Sequence, residues 1–239
     1  NEVSTDDVRG YLAEYPQFNG AGKVTVDNIR RVISSFFSWL ESEDFIYKSP
    51  VRRIKKIRTS KVIKPVYSDE ALESLRDVCS ETRDLAIVDF LASTGIRVGE
   101  LVKLDRQDID FETRECVVHG KGDKERIAYF DARAKTHLQT YLNNRIDDNR
   151  ALFVSLSRPH RRLEISGVES RLRKLGEEAG LENVHPHKFR RTLATRAIDK
   201  GMPIEQVQVL LGHSKIDTTL CYAMVDQDNV KRSHHKYIS

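Results

Sequence analysis

Three cysteines are all that 239 residues hold, and Cys79, Cys116 and Cys221 stand at unrelated spacings. An odd number without a pattern excludes a disulfide framework and points to a reducing cytoplasm. Long apolar runs are missing as well. None approaches the roughly 20 residues of a membrane helix, and the first residues carry no secretory leader, so no membrane role is expected. There is no internal repeat and no low-complexity tract. What remains, 39% hydrophobic and 32% charged residues, fits a soluble globular protein. The length suits one large domain or two smaller ones with a real core.

The net charge of +4 is modest, but its distribution is uneven. Residues 1–64 carry twelve Lys/Arg against eight Asp/Glu, while beyond them 28 of each sign cancel. Most of the excess lies in one tract where Arg52, Arg53, Lys55, Lys56, Arg58, Lys61 and Lys64 meet no acid. Such a tract suits a polyanion, most often nucleic acid, and equally suits a solvated linker.

Asp6 to Glu14 reads as a short helix, and 15–23, with Pro16, Gly20 and Gly22, as a loop. Thr25 is placed to cap a helix whose Ile29, Val32, Ile33, Phe36, Phe37 and Leu40 form one apolar stripe at helical spacing. The stripe is expected to be core, extended by Trp39. Two helices bury it poorly by themselves, so further helices are expected ahead of Asn1. Ser49-Pro50 should end this unit, leaving a basic linker over about 51–64 and a second domain over 65–239.

Ser68, followed by Asp69 and Glu70, is a good N-cap for a helix through Val78, and Thr82–Ser93 is a second helix closed by a left-handed Gly95. The one convincing β signal is a hairpin, Cys116–Val118 and Arg126–Phe130 around Gly120-Lys121-Gly122-Asp123. Further helices are predicted over Ala132–Asn144, Gly167–Ala179, Lys188–Lys200, Ile204–Leu211 and about Asp217–Val225. The fold class is therefore mainly α with a small antiparallel sheet.

Four separated segments carry residues suited to phosphate chemistry. Arg97 follows the Thr94-Gly95 turn at the start of a helix carrying Leu101 and Leu104, where a guanidinium fork can hold two phosphate oxygens; it also suits a surface pair with Glu100 or Asp105. Lys121 sits at the hairpin tip between two glycines, with Lys124 close by. His187 and Arg190 are three apart and share a helix face, with His185 as a neighbour. A histidine exchanges protons near neutral pH. His213 follows Leu211-Gly212, and Tyr222 lies nine residues further on, with Asp217 able to cap its helix. Taken singly, His213 suits a structural role and Tyr222 a core one. A zinc site from His185, His187, His213 and a cysteine lacks any recognisable ligand spacing.

In this order the segments Thr94–Leu101, His119–Arg126, His185–Thr192 and Leu211-Gly212-His213…Tyr222 strongly resemble the tyrosine recombinases, the phage-integrase and Xer-like family. The resemblance spans essentially 65–239 and extends more weakly to 4–64, which is similar to part of a helical core-binding domain. It implies six catalytic residues: Arg97, Lys121, His187, Arg190, His213 and Tyr222. Arg191 departs from the histidine often found there, outside the six. The resemblance implies cleavage of double-stranded DNA through a 3′-phosphotyrosine without metal or nucleotide cofactor. It also implies a homotetramer on two DNA sites, with the tail Asp226–Ser239 a candidate for docking on a neighbouring protomer. By the same reading the basic tract crosses DNA, and the role is integration or excision of a mobile element, or Xer-type resolution. Type IB topoisomerase-like relaxation and a non-catalytic DNA-binding regulator are the alternatives.

Overall fold

The computed structural model describes residues 3–58, 65–120, 125–213 and 216–220, with the backbone alone at 217 and 218. These residues are mainly helical with one small antiparallel sheet, the expected class. They fall into two compact units, Asn1–Ile63 and Lys64–Ser239.

The first unit holds α1 (Thr5–Asn19) and α2 (Lys23–Ser42). Ser4 caps α1: its hydroxyl accepts the Asp7 N–H, and the Asp7 carboxylate takes the Ser4 N–H in return. Contrary to the expected loop, the helix runs on through Pro16 and stops only where Gly20 turns left-handed at φ 60°. Proline forfeits a single N–H bond, whereas the glycine supplies the exit conformation. Gly22 rather than Thr25 is the N-cap of α2, so Thr25 sits inside the first turn.

The core of this unit joins Val8, Leu12, Val26 and Val51, with Ile29, Ile33, Phe37, Ile54 and Ile57 packed against them. Only part of the α2 stripe reaches it. Val32 is 70% exposed, Phe36 53% and Trp39 50%. The apolar arc of α2 is wider than one neighbouring helix covers, and Trp39 rests instead against Phe36 and Phe45, 6.2 and 5.8 Å between centroids. Ser49-Pro50 does not end the unit either, because Val51, Ile54 and Ile57 beyond it turn back into the core.

In the second unit α3 (Asp69–Asp77) starts on the Ser68 cap, and α4 (Thr82–Thr94) forms the centre. Ala86, Ile87, Val88, Phe90 and Leu91 are all buried, as are Arg83, Asp84, Asp89 and Thr94, so α4 is enclosed on nearly every side. Its acids are paired: Asp84 with Arg83 and Arg171, Asp89 with Arg76 and His137. The helix carrying Arg97 is shorter than expected. α5 (Val98–Leu101) is a single turn, and Leu104 is buried beyond its end.

Strands β1 (Ile109–Asp110), β2 (Glu115–His119) and β3 (Glu125–Tyr129) pair antiparallel in that order, with Cys116 opposite Ala128 and Val118 opposite Arg126. Cys116, Val118 and Ala128 face the core, while Val117, Ile127 and Tyr129 face outward. α6 (Ala132–Asn143) packs on α4, followed by α7 (Ile165–Glu178), α8 (Pro186–Asp199), α9 (Ile204–Leu211) and α10 (Ile216–Leu220). α8 begins two residues before its predicted start, because His185 is the N-cap and Pro186 stands at the first position, where its fixed φ suits a helix. α10 begins at Ile216, so Asp217 lies within it rather than capping it.

Candidate active site

The C-terminal end of α9 organises the centre. Gly212 closes the helix at φ 64°, leaving its last carbonyls without intrahelical partners and at the negative end of the dipole. Three consecutive carbonyls each receive one arginine. Arg126 donates to Leu210 at 3.2 Å, Arg190 to Leu211 at 2.5 Å and Arg97 to Gly212 at 3.2 Å. These arginines come from β3, from α8 and from the N-cap of α5. One helix end therefore gathers segments far apart in the chain.

Arg97 is also held by Glu100, whose carboxylate accepts both its backbone N–H at 2.9 Å and its guanidinium at 2.8 Å. With 41% of its side chain exposed, Arg97 still reaches solvent. The same Glu100 takes Arg126 at 2.7 Å. Arg190 is buried, and its second arm donates to the Gly95 carbonyl at 2.7 Å. Gly95 is left-handed at φ 58°, and a Cβ there would lie 2.7 Å from Leu193 Cδ2. Arg191 is occupied elsewhere, donating twice to the Pro65 carbonyl at 3.0 and 3.1 Å.

His213 is buried directly after Gly212, with Nδ1 2.9 Å from the Thr219 hydroxyl on α10. Burial and the charges of Arg190, Arg97 and Arg126 lower its pKa to about 4, so the ring is neutral at physiological pH. His187 lies across a cavity of about 420 Å³ whose lining includes Arg97, Arg190 and His185, with Glu169 and Arg173 from α7. Of the six predicted residues, Arg97, Arg190 and His213 thus meet at one helix end, and His187 shares the cavity with both arginines. Lys121, its neighbour Lys124, and Tyr222 lie outside the described residues, as do Cys221 and the tail from Asp226. Among the described residues no group of three or more His, Cys, Asp or Glu is placed to hold a metal.

Arg126, the second task of Glu100, and Thr219 were not foreseen. Glu100 left one usable signal, a carboxylate three residues after an N-cap. Arg126 left none, because its partners are 26 and 84 residues away.

The model of the phage integrase family matches residues 62–229. The chain belongs to that family. Tyrosine recombinase XerC of Oceanobacillus iheyensis is 33% identical, covering 98% of this chain and 80% of its own. XerC of Chlamydia caviae is 31% identical, with 97% and 77% covered. The crystal structure of XerA recombinase aligns at TM-score 0.64 and 28% identity over 99% of this chain and 83% of that one. XerH, solved on a palindromic difH substrate after cleavage, shares the fold at TM-score 0.79 and 20% identity, covering 100% and 73%. The protein is thus a tyrosine-type site-specific recombinase.

The basic tract of this recombinase is ordered as far as it is described. Val51, Ile54 and Ile57 recur every third residue and pack inward, which leaves Arg52, Arg53, Lys55, Lys56 and Arg58 exposed. Asp27 ties the segment down, its carboxylate accepting the Ile57 N–H at 3.0 Å and Arg30 Nε at 2.8 Å. Among the described residues Arg52 lies 3.9 Å from Glu41, and Lys56 acts on Asp27 through its charge. Lys61 and Lys64 lie outside the described residues. No helix among the described residues is long and apolar enough to cross a membrane.

Proposed function

We propose that this recombinase cuts and rejoins double-stranded DNA through a covalent 3′-phosphotyrosine on Tyr222. The observation that carries the reading is the meeting of Arg97, Arg190 and His213 at the end of α9. Two guanidinium forks and a buried neutral imidazole suit a pentacoordinate phosphate, whose extra negative charge needs donors already in place.

In the proposed reaction the Tyr222 phenolic oxygen attacks phosphorus and the bond to the 5′-oxygen breaks. The phenolic proton passes to His187, since a phenol with pKa near ~10 is a weak nucleophile at neutral pH. Lys121 protonates the departing 5′-oxygen, and Lys124, three residues on in the sequence, is the alternative for that role. In the proposed scheme the Thr219 hydroxyl, 2.9 Å from Nδ1, donates to it, which assigns the His213 proton to Nε2, where it can bond a phosphate oxygen. The phosphotyrosine conserves the energy of the diester, and a 5′-hydroxyl from a second duplex reverses the attack. Neither metal nor nucleotide enters this scheme.

DNA as partner is supported by the exposed basic ridge of residues 52–58 and by family members solved on DNA, including XerH and the Tn1549 transposon integrase. Exchange between two duplexes calls for a homotetramer on two sites, with the tail from Asp226 docking on a neighbour. Integration or excision of a mobile element and Xer-type resolution draw on the same chemistry.

The test incubates the protein with fragmented host DNA, denatures it in detergent, and sequences the DNA ends that remain attached to protein. Adducts formed by the native chain and absent from Tyr222→Phe are expected. DNA binding without adducts in either chain would point instead to a non-catalytic regulator.

A further inference from the structure

We propose that Arg126, outside the family's six catalytic positions, is a positioning residue that fixes Arg97 and the Gly212–His213 turn for the reaction. The proposal rests on the reading that Arg97 and His213 contact the reacting phosphate, and three observations carry it. First, Arg126 joins both sides of the centre: one arm meets Glu100 Oε2 at 2.7 Å, while the other meets the Leu210 carbonyl at 3.2 Å. Glu100 in turn holds Arg97 by side chain and backbone.

Second, the side chain of Arg126 runs directly beneath Gly212. A Cβ at 212 would lie 2.6 Å from both Cδ and Nε of Arg126. Glycine at this position thus does two things: it permits φ 64° and it admits the arginine. Third, Arg126 is not arranged for its own satisfaction. Its Nε is buried with no hydrogen-bond partner among the described residues, a cost that the other contacts must offset.

Without Arg126, Glu100 Oε2 keeps only the Arg97 N–H of its two partners, so the carboxylate can turn about that bond and carry the Arg97 guanidinium on Oε1 with it. The Leu210 carbonyl is released and the space beneath Gly212 opens. Arg126 itself packs behind these groups, with only 15% of its side chain exposed. Its loss should therefore be felt in the rate of reaction and not in DNA affinity.

The experiment uses the full chain with Arg126→Met, Arg126→Lys, Arg97→Ala and the double variant R97A/R126M. Single-turnover formation of the covalent adduct is followed on a duplex carrying the site recovered by adduct sequencing. Dissociation constants for that duplex and melting curves are measured alongside. Arg126→Met is expected to slow adduct formation by about 10–100-fold, as a misplacement of around an ångström does, with affinity changed less than about twofold. On the Arg97→Ala background the same substitution should cost distinctly less than on the native one, leaving only the part carried by the Gly212–His213 turn, because one of the two groups it positions is gone. Arg126→Lys, which keeps the charge and loses the fork, should recover part of the rate and serves where the methionine variant melts too early.

Equal fold losses on both backgrounds, or an unchanged rate, would overturn the proposal. A second readout does not depend on catalysis. The Nε–Hε resonance of Arg97, assigned by its disappearance in Arg97→Lys, should shift in Arg126→Met and shift less in Arg126→Lys. A native chain that forms no adduct would count against the proposed reaction alone, and a static Arg97 resonance would then count against the positioning role.

Discussion

Glu100 grips Arg97 at both ends, taking its backbone N–H at 2.9 Å with one oxygen and its guanidinium at 2.8 Å with the other. Burial works to raise the Glu100 pKa, but the Arg97 N–H and the charges of Arg126 and Arg97 outweigh it and hold the carboxyl below its usual range. The acid is therefore ionised where two arginines need it. Removing it by Glu100→Ala leaves the largely buried Arg126 uncompensated, a change expected to lower stability by about 3–5 kcal/mol. Glu100→Gln keeps the shape and one of the two acceptor oxygens and should cost less. Urea unfolding of the three chains checks the order, and covalent-adduct yield should fall in the same order.

His213 gives the fold a particular acid limb. Its folded pKa of about 4 lies below the ordinary 6.5, so the unfolded chain takes up the proton first as pH falls. The contribution to stability is complete above about 6.5, shrinks through the interval and is gone below about 4. Melting temperature should therefore drop between pH 6.5 and 4, and the drop should be shallower in His213→Gln, which has no proton to gain. Parallel slopes in the two chains would remove His213 as the cause. Thr219→Val should lower the melting temperature at pH 7 by depriving a buried ring of its hydroxyl partner.

How legible this was depended on distance along the chain. Features that depend on a few adjacent side chains stand where the sequence places them: the Ser68 cap, the left-handed Gly95 and the hairpin, whose strands are Glu115–His119 and Glu125–Tyr129, so that Phe130 falls just beyond the second. Arg97, Arg190 and His213 were found by resemblance, and what joins them was not visible. Carbonyls have no side-chain signature, so nothing in the text marks Leu210, Leu211 and Gly212 as acceptors for three arginines. The α2 stripe misled for a related reason. Periodicity reports which face is apolar, whereas burial of Val32, Phe36 and Trp39 depends on what covers that face. Arg126 read as an ordinary strand residue, because a register shows pairing and not what lies beyond the sheet edge.

Gly95 should resist substitution more than a surface turn does. Alanine there meets two penalties, a left-handed φ of 58° and a Cβ 2.7 Å from Leu193 Cδ2. Gly95→Ala is expected to cost about 1–3 kcal/mol from the backbone alone. Its carbonyl also receives Arg190, so adduct formation should suffer as well. Adding Leu193→Ala should relieve the tightest steric contact and leave the 3.2 Å approach of Leu211 Cδ2 and the backbone part. The test is urea unfolding of the single and double variants, and full recovery in the double variant would show that conformation at 95 is unstrained.

The basic ridge makes a prediction that separates it from a solvated linker. Val51, Ile54 and Ile57 anchor the segment, so its five exposed cations are held before any partner arrives. Each phosphate it neutralises should add about 0.9 to the slope of log affinity against log salt. Replacing Arg53, Lys55 and Lys56 by glutamine should flatten that slope by up to about three times this amount and weaken binding to all sequences alike. Asp27→Asn is the sharper test: it keeps every cation, removes one negative charge and weakens the tie to Ile57 and Arg30. A preorganised ridge should lose affinity in Asp27→Asn while its salt slope stays nearly constant, because the cations remain and their placement relaxes. A linker that merely supplies charge should bind at least as tightly with asparagine at 27, because one charge that repels phosphate is gone.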